Sequence, residues 1–234
     1  MQRYFARLDK NQVILDDGDV HHLLHVMRAK VGDEIETVCD GRLYSSIVKS
    51  ISPLRIEVNY EIPSDSELPC KVTLFFALAK GDKIDFVVQK ATELGVSKII
   101  LLKTERSIVK YEQKDVEKKL ERFRKIAKEA SEQSHRLYVP EIVGVVDINK
   151  IPDDLLCDIN LLAYEKVAGS TKDFPSLNKD KSVSVMIGPE GGFSEEEVKA
   201  LQSKFQLVSL GKRILRTETA AVYALSVLGF LLEK

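Results

Sequence analysis

The sequence predicts two domains of different class: a small β-barrel over residues 1–66, then an α/β domain over residues 67–234 with a mostly parallel sheet covered by helices on both faces. Three observations carry this expectation. Apolar and β-branched residues recur with period two from Arg3 to about Ile62, as in half-buried strands. The stretch from Pro63 to Pro69 is polar, bracketed by prolines and without periodicity, which marks a linker. From Val72 onward strand-like and helix-like segments alternate, the pattern of a parallel sheet. The length of 234 residues, about one and a half typical domains, accommodates this division.

In the first domain, strands are expected at residues 3–6, 13–15, 34–38, 43–50 and 54–62, and short strands so spaced suit a small barrel. Asp40-Gly41 between two of them reads as a hairpin turn, because both residues tolerate the positive φ that a type I′ turn needs. One helix interrupts, with Asp19 as its expected N-cap and HHLLHVMR as its body. In the second domain, strands are expected at 72–79, 98–104, 159–164, 183–187 and 207–210. Helices are expected at 82–94, 113–135, 195–203 and 217–232, with Gly95 as a left-handed stop after the first.

Composition narrows the function classes. Thirty-five Lys and Arg against thirty-six Asp and Glu give a net charge of −1, so no global field marks the chain for nucleic acid or an anionic membrane. The 44% hydrophobic content supplies a core and excludes a disordered chain. Cys39, Cys70 and Cys157 are odd in number and in no CxxC spacing, which points away from a disulfide framework or zinc site and toward a reducing cytoplasm. MQRYFARLDK lacks the apolar core of a signal peptide, and AAVYALSVLGFLL falls short of the roughly 20 residues that span a bilayer. It reads as a buried helix. His21 and His25 share a helix face at metal-ligand spacing, but with no HExxH glutamate and no evident third ligand, no metal is expected.

Neither GxxxxGK[ST] nor a strand-to-helix GxGxxG is present, which sets aside P-loop and dinucleotide enzymes. The chemically dense part is the last third. There the strand VSVMI runs into Gly188-Pro-Glu-Gly-Gly-Phe-Ser194, a loop whose glycines admit positive φ and close approach of a ligand, with Ser194 placed to cap the next helix. A second polar segment, Leu210 to Ala220, opens the last helix with Thr217 as expected N-cap and Arg216 beside free N–H groups. Each segment taken alone also suits a capped turn without a ligand.

Together, IGPEGGFSEEE and LGKRILRTETA closely resemble the RsmE family of SPOUT methyltransferases, and HHLLHVMRAKVGDEI, ALAKGDKIDFVVQKATELGV, KTERSIV and IAKEASEQSHR match it in order along nearly the whole chain. The resemblance implies a PUA-like or OB-like RNA-binding barrel joined to an α/β domain with a C-terminal trefoil knot. It also implies transfer of a methyl group from S-adenosylmethionine (SAM) to N3 of uridine-1498 in 16S rRNA of the small ribosomal subunit, by a cytoplasmic homodimer whose site is completed across the interface.

Carried over by motif, the cofactor is expected on three loops: Glu165 after one strand; Ile187, Gly188, Pro189, Glu190, Gly191 and Gly192 after the next; and Leu210, Gly211, Ile214, Leu215, Arg216, Thr217, Thr219 and Ala220 after the third. Arg106 and Arg136 are the expected RNA- or uridine-facing cations, with Glu132 orienting one of them, and Arg216 is the further catalytic residue expected to position cofactor or substrate; Arg3, Arg7, His22 and Arg28 are the expected barrel contacts to RNA. Glu132 and Arg136, four apart, could instead simply pair on a helix surface. His135 in the EQS stretch and Met27 before Arg28 depart from the family pattern, and His135 is a candidate base for uridine N3 because imidazole titrates near neutrality. Residues 103–136 hold eleven Lys and Arg against seven Asp and Glu, an excess of four that suits either phosphate contacts or a solvated helix. Two further readings are a catalytically silent RNA-binding assembly factor and a SPOUT enzyme acting on tRNA.

Overall fold

The computed structural model describes residues 1–107, 109, 111, 113–167 and 174–234; Ile108 of KTERSIV, and Lys110 and Glu112 of the basic stretch, lie outside the described residues. The chain forms two compact units. The first comprises residues 1–67 with 131–138, and the second residues 68–130 with 139–234. The division expected at residue 66 is continuous in sequence, whereas the first compact unit also takes in residues 131–138.

The first unit is a six-stranded sheet. Its strands are β1 (Arg3–Phe5), β2 (Arg7–Asp9), β3 (Gln12–Ile14), β4 (Glu34–Cys39), β5 (Arg42–Ile51) and β6 (Leu54–Ile62), in the order β1-β4-β5-β6-β3-β2. In a flat sheet the two end strands would stand roughly 24 Å apart, at about 4.8 Å per strand. Ala6 alone joins them, and the chain from Phe5 to Arg7 spans at most about 7 Å. The sheet must therefore curl until its ends meet, around a core of Tyr4, Val13, Leu23, Ile35, Val48 and Ile56. The sequence gives no warning of β2: all three of its residues are exposed, so it has no apolar period.

Asp40 and Gly41 turn β4 into β5 with φ of 49° and 75°. A Cβ on Gly41 would lie 2.2 Å from the Tyr138 hydroxyl, so this glycine supplies close approach as well as turn geometry. The helix α1 (Asp17–His21) is capped by Asp16, which accepts from the Asp19 N–H. This corrects the expectation of Asp19 as N-cap: Asp16 has the extended backbone a cap requires, while Asp19 is buried within the helix. The chain then widens into a π-helical turn, His22–Val26, and Arg28 leaves it at a φ of 55°.

Two buried arginines hold the returning segment. Arg3, 4% exposed, pairs with Glu36 at 2.8 Å and also donates to the carbonyl of His135. Arg136, 3% exposed at its side chain, donates to Glu67 at 2.6 Å, and the same carboxylate accepts from the backbone N–H of Leu137 and Tyr138. Just before it, His135 takes the left-handed conformation, φ 61°, that stops a helix.

The second unit is an entirely parallel sheet of β7 (Val72–Ala77), β8 (Lys98–Lys103), β9 (Glu141–Asp147), β10 (Ile159–Ala163), β11 (Val183–Ile187) and β12 (Gln206–Val208), ordered β12-β10-β11-β7-β8-β9. Every residue of β7 and β11 is buried because both sheet faces are covered. On one side α2 (Lys83–Glu93) and α5 (Thr217–Leu232) pack together over a core including Leu74, Phe76, Val88, Ala221 and Leu225; on the other, α4 (Glu195–Leu201) contributes to a core around Phe75, Ile100, Met186 and Phe205. The long α3 (Gln113–Gln133) buries Leu120, Phe123, Ala127 and Ala130, as its period requires. Strand β9 has no counterpart in the sequence reading: Gly144, at φ 112°, breaks its alternation beside a shift in register with β8. Among the described residues no helix is long and apolar enough to cross a membrane.

Glu67→Ala removes the carboxylate that accepts from the buried Arg136 guanidinium and from two backbone N–H groups, and is expected to destabilise by about 3–5 kcal/mol, toward the lower figure because Glu67 keeps some solvent access. Urea unfolding checks this, and the double variant Glu67→Leu with Arg136→Met is expected to be more stable than the single one. Equal stability of Glu67→Ala and wild type would remove the pair as the anchor of residues 131–138.

Candidate functional site

Parallel pairing of β10 between β11 and β12 puts the carboxyl ends of all three strands on one edge of the sheet, where α/β folds bind ligands. The segments leaving them enclose a cavity of about 320 Å³, near the low end of the roughly 300–1,000 Å³ usual for small-molecule sites. Its wall contains Glu165 from the first segment, Ile187 and Gly188 through Gly192 from the second, and Leu210, Gly211, Ile214, Leu215, Thr217 and Ala220 from the third. Ala163, Tyr164, Phe193 and Arg213, not singled out from sequence, also line it. Arg216 and Thr219 are exposed and do not. Arg216, with extended backbone, rather than Thr217, is the N-cap of α5. The hydroxyl of Thr217 is directed to Glu218 instead.

The glycines have local reasons. A Cβ on Gly188 would fall 2.9 Å from the Phe193 ring, which is buried, and Gly192 sits at φ 67° with Glu165 3.2 Å from where a Cβ would stand. Both keep backbone open to the cavity where a side chain would fill it.

Three side chains support this loop from outside. Arg106 donates to the Gly191 carbonyl at 3.1 Å and more weakly to that of Phe193, and Gly191 has no side chain to obstruct it. Glu197, 3% exposed, accepts from the Ser194 N–H at 2.9 Å and from the Glu105 N–H at 2.8 Å. It thus completes a capping box on α4 while tying the 104–107 turn to the glycine loop. Lys83, at the start of α2, donates to Glu190 at 2.8 Å and stands 3.6 Å from Glu218 at the start of α5. The Ser-x-x-Glu spacing of Ser194 and Glu197 was a legible signal for the second support. Nothing in the sequence pattern announced the third.

The charges in this cluster reinforce one another. The hydrogen bond to Glu190 raises the Lys83 pKa above its ordinary value. Burial alone would raise Glu190 and Glu218, but both lie below the usual carboxylate value: Lys83 and a backbone N–H outweigh burial at Glu190, and a backbone N–H, Thr217 and Lys83 do so at Glu218. The carboxylates therefore contribute stability above roughly pH 4.3, lost as pH falls through their lowered folded values. The lysine contributes below about pH 10.4, and its contribution is lost as pH rises through its raised folded value. Near neutrality all three are charged.

The other expected site residues fall into the first unit or onto helix surfaces. Arg3 and Arg136 were expected to face RNA or uridine; both are buried within the first unit, with Arg3 bonded to the Glu36 carboxylate and the His135 carbonyl and Arg136 to the Glu67 carboxylate. The partner shown for Arg136 is Glu67. Glu132 lies 3.5 Å from the Phe5 N–H. His22 shares a hydrogen bond with the Tyr4 hydroxyl, whereas Arg7 and Arg28 are exposed. The half-exposed imidazole of His135 stands 3.7 Å from Glu36. On α3, Arg124 and Lys125 pair with Glu117 and Glu129 of the same stretch, and Arg122 pairs with Asp85 outside it, so one charge of the basic excess is compensated from α2. Among the described residues no group of three or more His, Cys, Asp or Glu is arranged to hold a metal.

Comparison with known proteins agrees with this architecture. A family model for an RNA methyltransferase domain matches residues 66–229, and one for an RNA methyltransferase PUA domain matches residues 15–59. The chain is 38% identical, over 98% of its length and 96% of the relative's, to the ribosomal RNA small subunit methyltransferase E of Bacillus subtilis. It is 33% identical to the protein of that name from Aquifex aeolicus, over 93% and 94%. Among solved structures, that of a ribosomal RNA small subunit methyltransferase E from Neisseria gonorrhoeae bound to SAM superposes with a TM-score of 0.84 at 32% identity, covering 99% of this chain and 98% of that one. A methyltransferase from Legionella pneumophila with SAM bound gives 0.88 at 30% identity, covering 97% and 96%.

Glu197→Ala removes the acceptor of two backbone donors and is expected to cost about 2–3 kcal/mol in urea unfolding. Glu196→Ala, one exposed residue away, is expected to stay within about 0.5 kcal/mol of wild type. Equal effects at the two positions would contradict the bridging role.

Proposed function

The chain belongs to the ribosomal RNA small subunit methyltransferase E family, and we propose that it transfers a methyl group from SAM to N3 of a single uridine, uridine-1498, in 16S rRNA of the small subunit. The coarser reading, a SAM-dependent rRNA methyltransferase, rests on the family and on the SAM-bound relatives. One observation in this chain carries the assignment: a cavity walled by three loop segments, in which glycines leave backbone accessible and Ile187, Leu210, Ile214, Leu215 and Ala220 supply apolar surface. That lining fits SAM. Apolar side chains and exposed peptide groups suit an adenosine, and the carboxylates of Glu165 and Glu190 at the wall complement a cationic sulfonium and amine.

When bound, SAM supplies a methyl group already activated on sulfur, so positioning carries much of the acceleration. The protein's part is to hold the acceptor base and to accommodate the negative charge that appears when uridine N3 loses its proton. Arg106 and Arg216 are the cations proposed for this, since an exposed guanidinium can donate to the O2 or O4 carbonyl of uracil. Arg106 is already aimed by its bond to Gly191. Arg7 and Arg28 on the first unit are the proposed contacts to RNA phosphate. The trefoil knot belongs to this reading as the threading that brings residues 210–220 beside 188–192, and the rRNA substrate implies work in the cytoplasm.

The proposed assembly is a homodimer. Tyr223 and Phe230 on α5, 42% and 62% exposed, and Phe86 on the adjoining α2, 44% exposed, leave large aromatic surface uncovered on a packed helix pair. Sedimentation is expected to give a dimer for wild type and a monomer for Phe230→Asp. A wild-type monomer, or an unaltered dimer in the variant, would remove this face.

Incubation with methyl-labelled SAM, unmethylated small subunits, naked rRNA and tRNA tests the activity, with mass spectrometry of nuclease fragments locating the label. One N3-methyluridine in small-subunit RNA is expected, reduced at least tenfold in Arg216→Ala. Label confined to tRNA would overturn the substrate. Absence of both transfer and SAM binding would favour a silent RNA-binding factor.

A further inference from the structure

Lys83 lies outside the cavity wall, yet it is a cation shared by two segments that form the wall. Its ammonium bonds Glu190, the central residue of the glycine loop, at 2.8 Å and lies 3.6 Å from Glu218, one residue into α5. Glu190 and Thr217, next to Glu218, both line the cavity. Two carboxylates brought together without the lysine would repel, and the loop bearing Glu190 is built around Gly188, Gly191 and Gly192, which leave its backbone free to move away.

We propose that Lys83 is a positioning residue for the cofactor site: by bridging Glu190 to Glu218 it latches the glycine loop against the start of α5 and keeps the cavity in its binding shape. This rests on the assignment of that cavity to SAM. The latch makes a prediction that through-space charge alone does not. Removing a positive charge near the site by electrostatics alone would favour the cationic SAM and leave neutral-sulfur S-adenosylhomocysteine nearly unchanged. Loss of a latch weakens both.

Calorimetric titration of wild type, Lys83→Met, Lys83→Arg and Glu190→Gln with each of these two compounds separates the possibilities. For Lys83→Met, a loss of affinity on the order of tenfold is expected for both ligands, the partial exposure of the pair holding it to that size. Lys83→Arg is expected to recover most of it. Glu190→Gln is expected to reproduce the loss, with little further effect when combined with Lys83→Met. In kinetics the KM for SAM rises while kcat at saturating SAM stays within about twofold, because uniform binding is what is lost. Lys83 is 31% exposed, so the ligand-free melting temperature is expected to fall only slightly, and Lys83→Arg serves as the second variant should Lys83→Met melt early. Unchanged affinity, or tighter SAM with unchanged S-adenosylhomocysteine, in Lys83→Met would overturn the latch while leaving the cofactor assignment standing. Failure of wild type to bind either ligand would overturn both.

Discussion

The site depends first on the parallel placement of β10 between β11 and β12. Only in that order do the carboxyl ends of three strands meet on one sheet edge, and only then can residues separated by more than fifty positions, Glu165 and Ala220, line one cavity. The strands themselves are specified by burial. Leu161, Leu162, Val185, Met186 and Val208 are fully enclosed on the two covered faces of the sheet, and a one-residue slip would exchange the side chains packed against one covering layer for those packed against the other.

A cavity made largely of backbone cannot define its own shape, since glycine loops have many accessible conformations. Here the definition comes from side chains beyond the wall. Arg106 and Glu197 join the glycine loop to the turn at residues 104–107, and Lys83 joins it to α2 and α5. These supports are charged groups bonded to peptide groups or to one another, and such charge-assisted bonds are stronger than neutral ones. The first unit uses the same device for a different end. Arg3 and Arg136 fasten the 131–138 segment through carboxylates and carbonyls, so two cations conspicuous in the sequence are structural there.

Much of this was legible in the sequence for identifiable reasons. Strands buried on both faces read as continuous apolar runs, α3 keeps its helical period, and Asp40-Gly41 and Gly95 sit where positive φ is required. Two of the three cavity segments were marked by glycine density or by motif, whereas the first was identified only by Glu165 and its neighbours. Other features have no local signature. β2 is wholly exposed and β9 is interrupted by Gly144, so neither presents a period. A basic residue near a motif looks the same whether it will face solvent or a buried carboxylate, and the difference between Arg106 and Arg136 is decided by Glu67, sixty-nine positions from the latter. Lys83 likewise acquires meaning only once Glu190 and Glu218 arrive beside it.

Hydrogen–deuterium exchange of the full chain with and without SAM reads the site most directly. Slowed exchange is expected in the amides of residues 164–165, 188–193 and 210–220, with β1 to β6 unaffected. Protection confined to residues 1–62, or no protection at a SAM concentration that saturates the calorimetric titration, would contradict the assignment of the three-loop cavity.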